Sequence, residues 1–143
     1  MTGVVIDASV AIKWVIDEDG SPAALALRTR RLVAPDPLLA ECANILWKKA
    51  RLGELSADEA IFAARLLARA DVELVPMRPT LEAATAIALA LDHPAYDATY
   101  LALAEAEDLD FVTADERLLR KVRQEASGRF ARRVIGLGAV IPH

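Results

Sequence analysis

The chain has 143 residues, a length that suggests one domain (1–143) with one core. Its 55% apolar and 27% charged residues are enough to bury a core and exclude a disordered tail. The net charge of −4 argues weakly against a nucleic-acid partner, but from Arg117 to Arg133 seven basic residues and one acid, Glu125, give +6 and leave −10 for the rest.

Thr2 to Ile6 is β-branched and predicts a strand. Ala8 to Ile16 predicts a helix, with Ile12, Val15 and Ile16 toward the core. Ser21-Pro22 pairs an N-cap residue with a proline at the first helical position, predicting a helix to about Arg30. Leu32 to Ala34 predicts a short strand, and Asp36-Pro37 repeats the cap-plus-proline signal for a helix ending near Gly53. Ser56-Ala57-Asp58-Glu59 fits a capping box, with its helix running to about Ala70. Val72 to Met77 predicts a strand. Thr80 predicts the cap of a helix through Leu91, and Pro94 the start of another that ends near Glu107. Leu109 to Thr113 predicts a fourth strand, Asp115 a helix to Gln124, and Arg133 to Ile135 a fifth strand.

No apolar run reaches 18 residues, since Leu81 to Leu91 is stopped by Asp92, His93 and Pro94, so no membrane span is expected. The start, MTGVVIDASV, lacks the basic region of a signal peptide. A single cysteine, Cys42, fits a reducing cytoplasm. Short apolar strands separated by helices predict an α/β fold with a parallel sheet covered on both faces. In such sheets ligands bind beyond the carboxyl ends of the strands.

Four acids stand where acids are uncommon. Asp7 follows the strand VVI, and Asp115 follows FVT, with Thr113 two positions before it. The ordinary reading of each is a helix N-cap. On helical spacing, Glu41 lies with Leu38, Cys42 and Ile45, and Asp97 with Tyr100, Leu101 and Ala104. Each therefore lies on or beside an inward stripe, where a carboxylate reaches water, pairs with an arginine, or serves a site. If all four converge, no basic residue of similar inward placement neutralises them. Two unit charges ~5 Å apart repel by roughly 3 kcal/mol at an effective dielectric of about 20. Protons or a cation must then occupy the cluster, and all-oxygen donors favour Mg²⁺ or Mn²⁺. Cys42, His93 and His143 have no zinc-site spacing. A carboxylate-held Mg²⁺ suits phosphodiester hydrolysis, and the basic segment from Arg117 could hold flanking backbone.

VVIDASV, PLLAECANILWK, YDATYLALAE and FVTADERL, in that order, resemble the successive motifs of PIN domains. The resemblance runs from Val4 to about Ile135 and is closest to the ribonuclease toxins of VapC-type toxin–antitoxin pairs. It implies a three-layer α/β/α domain with a short five-stranded parallel sheet. It also implies an Mg²⁺- or Mn²⁺-dependent endoribonuclease whose products carry a 5′-phosphate and a 3′-hydroxyl. By position, Asp7, Glu41, Asp97 and Asp115 match the family's four acids. Asp7 and Asp97 match the main metal ligands, and Glu41 and Asp115 are expected to hold a second ion, or bind through water, and to help activate the nucleophilic water. Ser9, Asn44 and Thr113 match groups that orient carboxylates or a bound water. The resemblance further implies an RNA substrate, a small antitoxin, a homodimer, and a heterotetramer or larger assembly with the antitoxin. Ile61, Phe62, Leu66 and Leu67 are candidates for partner contact as well as for core, and Trp14 and Trp47 for core or interface.

A haloacid-dehalogenase-type phosphatase would need a second acid at the position of Ser9 and a lysine at a late strand end. A phospho-receiver domain would need paired acids after the first strand. Neither pattern is present. The remaining alternative is a non-catalytic PIN-like module that binds RNA or protein.

Overall fold

A computed structural model describes residues 3–141. Thr2, expected to open the first strand, and His143 lie outside the described residues. Five strands, β1 (Val4–Ile6), β2 (Leu32–Pro35), β3 (Glu73–Val75), β4 (Asp110–Thr113) and β5 (Val134–Gly136), form one sheet in the order β3-β2-β1-β4-β5. Every pairing is parallel. Val4, Val5 and Ile6 are each 0% exposed. Neighbouring residues of a strand point to opposite faces, so the sheet is covered on both sides.

The covering comes from α1 (Ala8–Ala11), α2 (Ser21–Ala26), α3 (Leu38–Arg51), α4 (Ala57–Ala68), α5 (Leu81–Leu91), α6 (Ala95–Glu107) and α7 (Glu116–Gln124). Helix α6 packs on β1, β2 and β4, α1 on β4 and α3, and α7 on β5. The α6 face deduced from spacing is correct: Tyr100, Leu101 and Ala104 are all fully buried. Tyr100 stacks on Phe111 of β4, with ring centroids 5.7 Å apart and planes at 11°. Such a pair contributes about 0.5–1.5 kcal/mol beyond its burial. On α3, Leu38, Cys42 and Leu46 form the buried stripe.

Several helix starts differ from the sequence reading. Gly20, not Ser21, caps α2, and its φ of 90° is one that glycine adopts freely. Ser21 is the first helical residue and its hydroxyl instead ties down the preceding loop. It donates to the Ile16 carbonyl and accepts from the Glu18 amide. The α3 cap is Pro37 without a side-chain bond, because the Asp36 amide is drawn into the sheet by the Val75 carbonyl. Thr80 caps α5 by position only, since its hydroxyl turns back to the Met77 carbonyl. The Ser56–Glu59 capping box forms as expected, with both reciprocal bonds. The first helix is shorter than expected, passing into a 3-10 turn at Ile12–Trp14.

Trp14 is half-buried, its indole N–H donating to the Ala24 carbonyl, while Trp47 is exposed. On α4, Leu67 is buried and Ile61, Phe62 and Leu66 face outward. Among the described residues no helix is long and apolar enough to cross a membrane.

Candidate active site

The chain passes from β1 to β2 and β3 on one side of the sheet, then returns to place β4 and β5 on the other. The crevice between the carboxyl ends of β1 and β4 is thus the topological switch point, where open α/β sheets bind ligands. Asp7 leaves β1 there, and Thr113 ends β4 beside it.

Asp7 is buried and held on both oxygens. Oδ1 accepts the Ser9 hydroxyl at 2.5 Å and the Val10 amide at 3.3 Å, and Oδ2 accepts the Thr113 hydroxyl at 2.5 Å. The same hydroxyls accept backbone amides in turn, Ala114 on Ser9 at 2.9 Å and Asp115 on Thr113 at 3.0 Å. This network ties the β1–α1 turn to the β4–α7 turn. Burial raises the Asp7 pKa to about 6, against the lowering effect of the two hydroxyls, and the Asp97 charge adds to the rise.

Glu41 enters from the first turn of α3. Its Oε2 accepts the Tyr100 phenol at 2.9 Å, while Oε1 is buried with no hydrogen-bond partner. Burial, followed by the charges of Asp7 and Asp97, raises its pKa to about 7, although the Tyr100 bond opposes this. Asp97 lies in the first turn of α6. Burial raises its pKa and Asp115 adds to the rise, while His93 and Arg117 lower it. Asp97 thus acts on Asp7 and Glu41, Asp7 on Glu41, and Asp115 on Asp97. Asp115 caps α7, its Oδ1 accepting the amides of Arg117 at 2.9 Å and Leu118 at 3.2 Å. The N-cap reading of Asp7 and Asp115 therefore holds, with both residues at the carboxyl edge of the sheet.

Two features were not foreseen. His93 Nε2 stands 2.5 Å from Asp97 Oδ2, with the His93 side chain only 8% exposed, so the expectation that no basic group reaches the acids fails. His93 lies outside both helices, in the turn between Asp92, which ends α5 in a left-handed conformation, and Pro94, which caps α6. Helical spacing carries no signal for such a residue. Tyr100 is the second: its ring belongs to the core stripe, and only the fold brings its hydroxyl to Glu41. Asn44 is exposed one turn after Glu41 and makes no hydrogen bond to the four acids.

The donor set suits a hard divalent cation. The bare Glu41 Oε1 lacks a partner that a cation would supply. Asp97 and Asp115 each likewise keep one oxygen outside any hydrogen bond among the described residues. The donors are not gathered, however: among the described residues no three His, Cys, Asp or Glu groups stand where one ion could be shared. Asp97 is turned to His93 and Asp115 to its helix, as expected of carboxylates that repel and find local partners.

No curated protein matches the chain. Among solved structures, the crystal structure of PAE2754 from Pyrobaculum aerophilum is similar in fold, with a TM-score of 0.69 at 23% identity over 96% of this chain and 85% of that one. The PIN domain family model matches residues 4–124, a span that contains all four acids. With the sheet order, the switch-point crevice and the acids around it, this match means that the chain belongs to the PIN domain family.

Proposed function

We propose that this protein is a divalent-metal-dependent endoribonuclease that acts as the toxin of a toxin–antitoxin pair. PIN domains are in general metal-dependent nucleases. The observation that carries the reading is the buried, unpartnered Glu41 Oε1, set among acids that raise one another's pKa. A buried acceptor without a partner is costly unless a cation, a proton or a bound water meets it.

A bound Mg²⁺ or Mn²⁺ would lower the pKa of a water and offset charge on the phosphate. Asp7 and Asp97 are the main ligands in this reading, with Glu41 and Asp115 completing the set. Ser9 and Thr113 hold Asp7 in one orientation by donating to both of its oxygens. Glu41, with a pKa near 7, must give up its proton before Oε1 can meet the cation. The exposed Ile61, Phe62 and Leu66 support the protein partners of this reading, a second copy and a small antitoxin.

A non-catalytic PIN-like module is the second reading, favoured by the His93–Asp97 pair and the ungathered donors. RNA cleavage in Mn²⁺, compared with EDTA and with Asp7→Asn, separates the two. The nuclease reading requires cleavage in Mn²⁺ that both controls abolish. Metal-independent cleavage, or none from antitoxin-free protein across varied RNAs, overturns it.

A further inference from the structure

A second feature adjoins the acids and has the opposite charge. A pocket of about 130 Å³ is lined by His93, Arg117, Arg120, Lys121 and Gln124. Three of these are permanent or near-permanent cations within five residues of α7. Among the described residues, no salt bridge involves Arg117, Arg120 or Lys121. Lys121 instead donates to the Asp92 main-chain carbonyl at 3.2 Å, which pins the α5–α6 turn against α7 and forms one wall of the concavity. His93 of that same turn also lines the pocket, and its Nε2 bonds to Asp97. The basic pocket and the acid cluster therefore share a partition one side chain thick, and the Arg117 charge acts on Asp97 across it.

We infer that this pocket is a phosphate subsite for the nucleic-acid backbone, holding a phosphodiester that flanks the one at the carboxylates. The inference rests on the nuclease reading above for what is held. Cations with no anion of their own, converging on a concavity, suit a phosphate oxyanion. A chain crossing from this pocket to the acids passes from a site that neutralises phosphate directly to one that requires a cation to do so. The pocket supplies register: it fixes where along a strand the reacting phosphate falls.

The test is binding of a fluorescent single-stranded RNA by anisotropy in EDTA, which suppresses metal-dependent cleavage, across a salt series. The full chain is compared with Arg120→Gln/Lys121→Gln and with Arg65→Gln/Arg69→Gln, which removes the same charge from exposed positions on α4 and at its C-cap. The subsite predicts roughly tenfold weaker binding at low salt for the α7 variant only, with a log–log salt slope shallower by about 1–2. Arg120→Gln alone, at an exposed position, gives a smaller loss of the same kind and guards against misfolding of the double variant. Equal losses in the α7 and α4 variants, no loss in either, or no RNA binding by the parent overturn the inference. So does competition by inorganic phosphate that depends on Arg120 and Lys121 while RNA binding does not, since that marks a small-anion site. Cleavage in Mn²⁺ by a parent whose binding ignores the pocket sinks the subsite alone. Pocket-dependent binding with no cleavage under any divalent metal sinks the nuclease reading alone.

Discussion

Replacing Asp7 by asparagine should reverse the order of stability of the parent and the variant as pH rises. The folded protein holds the Asp7 proton more tightly than the unfolded chain does, with a pKa of about 6 against the ordinary aspartate value of 3.8. A raised carboxyl pKa contributes stability that is complete below about pH 4 and is lost as pH climbs through 6. At 1.36 kcal/mol per pKa unit, the loss amounts to about 3 kcal/mol by pH 8. Asparagine escapes that loss but has only one acceptor oxygen for the two hydroxyls of Ser9 and Thr113, which costs about 1 kcal/mol at every pH. The metal-free variant should therefore be about 1 kcal/mol less stable than the parent at pH 3, about equal to it near pH 4.5 and about 2 kcal/mol more stable at pH 8. Urea melts in EDTA at half-unit pH intervals measure the difference, in which the titration of acids remote from Asp7 cancels and that of Glu41, whose pKa the Asp7 charge raises, adds in the same direction. Parallel parent and variant curves from pH 4.5 to 8 would refute the claim that Asp7 is a buried, reluctantly charged group.

The remaining predictions follow from individual contacts. Asp115→Ser should keep the α7 cap and Asp115→Ala should lose about 1 kcal/mol, while both abolish Mn²⁺-dependent cleavage; equal activity in the serine variant would reduce Asp115 to a cap. Tyr100→Phe should destabilise the protein by about 1–2 kcal/mol in denaturant melts by stripping the donor from Glu41 Oε2, and should push the Glu41 pKa further up in a carbon-detected NMR titration. Asp97→Asn should raise the melting temperature of the metal-free protein above neutral pH and shrink the stabilisation by Mn²⁺; identical Mn²⁺ shifts in parent and variant would remove Asp97 from the ligand set. For the parent, Mn²⁺ stabilisation should grow as pH rises from 5.5 to 8, because Asp7 and Glu41 must lose protons to bind metal.

The sequence was most legible where a local rule governs. The uninterrupted apolar strands, the Ser56 box and the inward stripes of α3 and α6 were all readable from spacing. Misreadings occur where a tertiary bond outcompetes the local one: the Ser21 hydroxyl goes to the Ile16 carbonyl, and the Asp36 amide to β3. The acids could be singled out because carboxylates on apolar stripes and at strand ends are uncommon. What surrounds them could not be read. His93 reaches Asp97 from a turn that no periodicity describes, and Tyr100 reads as plain core until α3 is seen against α6. Asn44 matches the family pattern by position, but its exposed side chain has no bond to the cluster.

The central position of β1 bears on when the acids can come together. Its neighbour β4 is supplied more than a hundred residues later, paired through Val5 and Phe111. Asp7 is therefore made long before Thr113, whose hydroxyl orients it, and before Asp115. Until β4 joins the sheet, the Asp7 carboxylate lacks one of its two hydroxyl donors and the acids stay on separate stretches of chain.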